Sequence, residues 1–567
     1  MARIPLLGRA YVERSGIASN QETVNLYAED NSGDPQAPAP ITYYPTPGLD
    51  LRATPNPAAK ARCTYRTSIG TAYVVIDTNV YFLAKNYALI LVGTIPSKVS
   101  QVFMADNGAA AVLVDGVDGW TIDLVTNAFA QITDPSFLGA DFVVFQDTFF
   151  CFNRPKTNQF YISLSNPSWG MLSGTAIGSG TIVGGAGYVP GVYQNVPLTG
   201  GSGTGALATI TVAGGGAVVT VDIGDGGENY LIGDVLSASN ANLGGSGAGF
   251  TYTVTAVALA FDPLDIAAKS GSADPIVAIL SIHDELWLIG ALTTEVWIGT
   301  GAADFFFQRV QGAYIEHGCI AQYSCANTDV IGIWLMQDKQ GKNIVVMGTG
   351  YSVSEISTPY LVDRFNNYPT TEDAIGFFFQ IGTHAFYVLI FPTANETWLY
   401  ALKTKMWTKW AWLNIDDGSL NRSRANCGMY FNEQNIIGDW ETGQIYSLNL
   451  ETFTDNGVPI VRRKTFCHML NNMDRVAYKQ FDADMQVGTQ DPTILTEPMV
   501  SLSWSDNRGV TYGAAVEQEM GRGGDFLTAI QWTRLGMARD RIFKLEWSAP
   551  IAAALNGGFA EVQPARS

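Results

Sequence analysis

A mainly β chain is predicted here: a β-propeller of six or seven blades, a second β-sandwich-like domain, and an inserted Gly-rich β domain. Three observations carry that expectation. Apolar strands alternate with short Asp, Asn or Gly turns along most of the 567 residues. Those units lack a helical period, whereas two-residue alternation is common in them. Glycine, at 59 residues, and Phe, Tyr and Trp are abundant, as many short strands joined by tight turns require.

Residues 1–60 read as an extended N-terminal arm poor in regular structure, with Asp34-Pro35-Gln36-Ala37-Pro38-Ala39-Pro40 as a stiff connector. Residues 61–172 read as the first part of the propeller, through strand pairs such as TAYVVIDTNVYFLA and DFVVFQDTFFCFN. Residues 173–256 interrupt it. This stretch is rich in Gly, Ala and Val, and contains an internal echo: GGSGTG (200–205) precedes ALATITV, and GGSGAG (244–249) precedes FTYTV. A small β-sandwich module inserted at an exposed blade loop, and projecting from the body, is expected. Residues 257–455 resume the propeller. With the interruption removed, the units recur every 35–55 residues or so, roughly the period of propeller blades. Units of this kind cannot bury both faces alone, and closure into a ring covers them and protects their edges. In the strand TEVWIG, Trp297 is expected to be buried between blades. Residues 456–567 change texture, with Arg462-Arg463-Lys464 and Arg475 followed by the strands AYKQFDADMQVG and VSLSWSD. They read as a C-terminal β domain packed with the N-terminal arm.

Acidic residues outnumber basic ones by 52 to 33, giving a net charge of −19. Such a surface repels phosphate and argues against gripping nucleic acid through a basic patch. The six cysteines, Cys63, Cys151, Cys319, Cys325, Cys427 and Cys467, are scattered, without a Cys-x-x-Cys pair. They suggest reduced, cytosolic synthesis rather than a disulfide framework. The N-terminus lacks the apolar core of a signal peptide, and no apolar run approaches membrane-spanning length.

The search for chemistry finds no assembled constellation. The four histidines are His283, His317, His384 and His468, and neither His-Glu-x-x-His nor Gly-x-Ser-x-Gly occurs. The GGSGTG run lacks the Lys-Ser/Thr of a phosphate loop and precedes a strand. His317, Cys319 and Cys325 lack an evident fourth zinc ligand, and buried structural thiols are the plainer reading. Asp222, Asp225, Glu228 and Asn229 could offer oxygens to Ca²⁺, but Asp-Gly turns need no ion to explain them. The run from Ser505 to Tyr512 is similar to the Asp box of sialidase propellers, with Asn507 and Tyr512 replacing its Asp and Trp. It reads as a turn. Asp416-Asp417 reads as an exposed loop rather than a glycosidase pair. No catalytic, cofactor or metal site is therefore assigned.

The stretch from Ile279 to Ser324 carries a resemblance. It joins His283-Asp284-Glu285, Thr294-Glu295-Val296-Trp297, Phe305-Phe306-Phe307-Gln308-Arg309 and Ile315-Glu316-His317-Gly318-Cys319. In this order it resembles the packaged-DNA-stabilisation family, the tail hub or nozzle proteins of short-tailed bacteriophages (podoviruses). Asn25-Leu26-Tyr27-Ala28-Glu29, Thr46-Pro47-Gly48-Leu49, Gly350-Tyr351-Ser352, Ile356-Ser357-Thr358 and the block from Trp532 to Phe543 resemble further elements of that family. The resemblance implies a structural virion protein without enzymatic activity, made in the host cytoplasm. It implies a homohexameric ring below the portal and head-to-tail adaptor. That ring would extend the DNA channel, retain packaged DNA without sequence-specific binding, take part in its ejection, and dock tail fibres or tailspikes. Basic residues, Arg539 and Arg541 among them, would concentrate at subunit contacts around a net negative lumen. The alternative is a propeller-based host-receptor-binding or glycan-processing tail protein, suggested by the Gly-rich insert and the Asp-box-like hairpin.

Overall fold

The computed structural model describes residues 2–5, 21–33, 39–96, 100–302, 304–470, 474–489 and 496–564. Most of the Pro-rich connector beginning at Asp34 lies outside these. The chain divides into two compact units: Tyr65–Ala84 with Ile90–Glu316, and Met1–Thr64 with Lys85–Leu89 and His317–Ser567.

In the unit ending at Glu316, four-stranded antiparallel sheets follow one another along the chain. One is built around the hairpin Ala72–Ile76 and Asn79–Leu83. The next is the meander Phe103–Asp106, Ala110–Val114, Gly119–Asp123 and Phe129–Gln131. Val112 and Val114 from that sheet share a core with Phe150 and Phe152 of the following one. That sheet comprises Val143–Gln146, Phe149–Asn153 and Gln159–Ile162, and it receives its fourth strand, Ile266–Ala268, only after the insert. Residues Ile276–Ile282, Glu285–Gly290, Thr294–Gly299 and Phe307–Ile315 make the next four-stranded sheet.

The insert forms one six-stranded sheet rolled round its own core of Ile210, Leu236, Phe250 and Tyr252. The roll closes where the Ile177 N–H donates to Gly226 O at 2.9 Å and the Tyr188 N–H to Gly216 O at 3.0 Å. Closure of this kind covers the edges that an open sheet would expose. Its first and last strands pair, with Ala176 opposite Ala258, so the chain enters and leaves at adjacent points. Replacing residues 173–256 by a short Gly-Ser linker should therefore leave a folded body, since bridging neighbouring ends costs little entropy. Circular dichroism and a cooperative melt check this. Loss of the cooperative transition would make the segment part of the main core.

In the unit beginning at His317, the sheets are Ala326–Asn327 to Ser352–Glu355, then Ile375–Ile381, His384–Phe391, Glu396–Ala401 and Met406–Lys409. The last meander, Ala425–Phe431, Gln434–Asp439 and Ile445–Asn449, takes its fourth strand from Gly48–Ala53, so residues almost 400 apart in sequence close one sheet. Gly48 is needed there for space. A Cβ would stand 2.2 Å from Thr452 O, and its N–H donates to that same oxygen at 3.0 Å. Seven four-strand meanders are thus present among the described residues.

Two further sheets sandwich a core that includes Tyr43, Phe481, Trp532, Phe543 and Trp547. One orders Leu26–Asp30, Ile41–Pro45, Leu555–Pro564, Val476–Met485 and Ile530–Thr533. The other runs Arg462–Thr465, Asp540–Trp547, Met499–Ser505 and Val516–Glu519. The N-terminal segment is therefore more structured than its expected extended form. Residues 23–53 supply strands to both sandwich sheets and to the last meander. The pairing partners lie hundreds of residues away, so local composition does not disclose them. No helix among the described residues is long and apolar enough to cross a membrane.

Candidate functional site

The sheet from Ile276 to Ile315 gives most residues of the 279–324 stretch a structural place. His283 and Asp284 both have positive φ, 55° and 57°, and form the two-residue turn between Ile282 and Glu285, a geometry short polar residues tolerate. Glu295 is fully buried and accepts the Gly271 N–H at 2.6 Å and the Trp297 Nε1–H at 3.2 Å. Lys269, also buried, donates to Asp274 Oδ1 and Thr293 O, both at 2.8 Å. Burial alone would raise the Asp274 pKa, but the bonds from Lys269, Leu292 and Thr293 hold it below the ordinary carboxylate range. These charges fix loops between strands, and each buried ion has a partner.

Asn25 anchors the N-terminal segment. It has φ 54°, which asparagine accepts more readily than most residues, and is fully buried. Its Nδ2 donates to Ala411 O at 2.9 Å and Val461 O at 2.8 Å, and its Oδ1 accepts the Ala411 N–H at 2.8 Å. One amide thereby ties the short strand Ala411–Leu413 to the residue preceding Arg462–Thr465. In the same motif Tyr27 packs on His384 with ring centroids 5.3 Å apart, and His384 Nε2 lies 3.4 Å from Glu29 Oε1.

A cationic ladder stands at the last meander. The guanidinium of Arg422 lies 4.1 Å from the Trp440 ring centroid, and that of Arg424 lies 4.9 Å from Trp412. Arg424 also binds the fully buried Asp439 through Nε at 2.9 Å and Nη2 at 2.7 Å, and reaches Glu441 at 2.5 Å. In the neighbouring blade, burial opposes ionisation of Glu396, yet bonds from Arg364, Lys409 and Tyr368 bring its pKa down to about 2. In the sandwich, Lys464 is buried and donates to Thr23 Oγ1 at 2.9 Å, with Nζ 4.3 Å from the Tyr43 ring. Desolvation pushes its pKa down from 10.5 to about 7.

That depression has a definite sign. Between pH 7 and 10.5 the unfolded chain holds a proton on Lys464 that the folded chain does not, so this group's contribution to stability rises with pH across the window. Below about 7 the full cost of a buried cation is present. Lys464→Met should therefore stabilise the protein by on the order of 2–4 kcal/mol at acid pH, less near pH 9, and not at all above the ordinary lysine range. Urea melts of both proteins across that range check this. A pH-independent difference would contradict it.

The remaining candidate residues are dispersed. His283 is exposed, His317 is half-buried, and His468 Nδ1 contacts Asp540 Oδ1 at 2.9 Å. Asp416 and Asp417 lie in an exposed loop where Asp417 Oδ1 accepts the Ser419 N–H at 2.8 Å. In the GGSGTG loop, Ser202 turns its donors to a protein carboxylate: its N–H and Oγ–H reach Asp234 Oδ2 at 3.0 and 2.6 Å, and the Leu231 N–H joins them at 2.9 Å. Asp225 Oδ1 accepts the Gly227 N–H at 3.0 Å, closing a turn over 225–227, and Glu228 next to it forms a bridge to Thr204. Ser505 and Asn507 likewise close their hairpin, through Gly509 N–H to Ser505 Oγ at 2.8 Å and Thr511 N–H to Asn507 Oδ1 at 2.9 Å. Among the described residues, no group of three or more His, Cys, Asp and Glu side chains is placed to hold a metal ion. Arg539 is exposed, but Arg541 corrects its expected place at a subunit contact. It is 2% exposed, binds Asp506 at 2.6 and 2.7 Å, and stacks 4.5 Å from the Tyr478 centroid. Sequence reasoning missed the Arg424–Asp439 pair because fifteen residues and a hairpin separate its members.

Two family models match the chain. Residues 244–453 match one described as "Bacteriophage P22 Gp10, beta-propeller", and residues 462–563 match "Bacteriophage P22 Gp10, beta-sandwich". Propeller and sandwich together define a phage tail structural protein, a component of the virion. The chain belongs to the tail hub, or nozzle, family of bacteriophage P22 Gp10. No curated protein matches it by sequence. Among solved structures it is similar to a streptogramin B lyase at 8% identity and TM-score 0.36, covering 71% of this chain and 97% of that one. It is also similar to YCF48 from Cyanidioschyzon merolae at 9% identity and TM-score 0.26, covering 71% and 99%. Likeness at this level carries no argument about activity.

Proposed function

We propose that copies of this chain form a sixfold ring on the tail axis, below the portal and adaptor. The ring extends the DNA channel, retains the packaged genome until ejection and offers docking faces for fibres or spikes. It is assembled in the host cytoplasm and performs no catalysis. Membership of the Gp10 tail family is the observation that carries this reading. The charge supports it. With 52 acidic against 33 basic residues, a channel wall can avoid the Lys and Arg contacts that would hold a phosphate backbone. Several basic side chains, including Arg62, Arg462, Arg541 and Lys464, are buried inside the subunit and are not available to line a channel.

Cross-linking mass spectrometry on intact particles tests the placement. Cross-links from this chain to itself and to the adaptor are expected. Cross-links only to peripheral spike proteins would contradict it. Purified protein is expected not to hydrolyse host polysaccharide, and turnover abolished by one carboxylate substitution would overturn the structural reading.

A further inference from the structure

We propose that Cys319 and Cys325 are a latent disulfide that closes when the protein meets an oxidant and staples the turn following the strand Phe307–Ile315. Their sulfurs lie 3.4 Å apart, with the Cys325 thiol donating to Cys319 Sγ. An S–S bond is about 2.0 Å long, so closure requires a displacement small against ordinary loop motion. The turn is held by groups that closure leaves in place. Ile320 N–H donates to Leu335 O at 3.1 Å, Leu335 N–H to Ser324 Oγ at 2.9 Å, Tyr387 OH to Ser324 O at 2.7 Å, and Trp334 Nε1–H to Gly318 O at 2.9 Å. Both cysteines are free and buried. The pair is thus positioned by contacts outside the bond it would form.

The chemistry balances with a peroxide as oxidant. One thiol sulfur attacks a peroxide oxygen and becomes a sulfenic acid, and the other peroxide oxygen leaves as water. The second thiol sulfur displaces the sulfenic oxygen as another water. Two thiols lose two protons and two electrons, and hydrogen peroxide takes them up to become two waters. Burial pushes the Cys325 thiol well above its ordinary pKa, so reaction is slow and gated by opening of the turn. A reducing cytosol keeps such a pair open, and an oxidising medium outside the host closes it.

The test uses the whole purified protein, incubated natively with hydrogen peroxide or with dithiothreitol. It is then denatured, blocked with N-ethylmaleimide, digested and weighed. Peroxide should yield a species joining Cys319 and Cys325, lighter by two hydrogens and free of maleimide, while Cys151 and Cys467 remain blocked. The thermal midpoint should rise with peroxide and return with dithiothreitol. Cys325→Ser should abolish that rise and Cys151→Ser should keep it. Should Cys325→Ser not fold, the mass of the wild-type peptide decides alone. Maleimide on both cysteines after peroxide treatment, or sulfinic acid in place of the cross-link, would overturn the proposal.

Discussion

Arg424→Leu is expected to destabilise the protein by about 3–5 kcal/mol, the usual cost of leaving one member of a buried ion pair unpaired. Asp439 has no exposed surface, and Arg424 contacts both of its oxygens. The carboxylate would keep its bonds from the Glu441 and Thr442 N–H groups, at 2.7 and 3.2 Å, which sets the loss at that level rather than higher. The guanidinium also fills space beside Trp412 and Trp440, and Leu restores only part of that contact. Equilibrium urea unfolding measures the difference. The double variant Arg424→Leu with Asp439→Asn should recover part of the loss, because the orphaned charge is then gone. A single-variant cost below about 1 kcal/mol, the range of exposed substitutions, would show that the pair is not buried as described.

Trp297→Ala is the second large effect, at about 3–5 kcal/mol for a buried aromatic replaced by a methyl group. Trp297 is 7% exposed, its ring meets Phe160 edge-on at 5.0 Å, and its Nε1–H satisfies the buried Glu295. The ring bridges two successive blades, Gln159–Ile162 and Thr294–Gly299, as the TEVWIG alternation suggested. Its removal opens a cavity and takes a donor from a buried carboxylate, and both effects act in the same direction. Chemical denaturation with a shift below about 1 kcal/mol would show the packing to be loose.

What was readable beforehand follows from how local each signal is. The meanders are chains of adjacent hairpins, so strand alternation and Asp or Gly turns disclose the propeller. TEVWIG placed a tryptophan in a core for the same reason. The N-terminal segment was harder. Gly48–Ala53 is a short strand whose partner, Ile445–Asn449, is almost 400 residues away, and no local pattern carries a pairing of that separation. Asn25 stood out as a motif, but its purpose lies in acceptors at Ala411 and Val461. Charged residues misled where burial was the deciding fact. Arg541 read as a surface cation, yet Asp506 and the rings of Tyr478 and Trp504 enclose it. The basic run at Arg462–Lys464 likewise turns inward at two of its three positions.

The proposed function places copies of this chain in a ring at the tail axis rather than in a peripheral appendage. Cryo-electron microscopy of the intact tail, with this chain traced in the density, tests it most directly. The account predicts copies arranged around the axis beneath the adaptor, enclosing a channel that admits duplex DNA or is closed by movable loops, with a net negative lumen. Copies lying away from the axis, or a ring whose lumen is strongly basic, would contradict it.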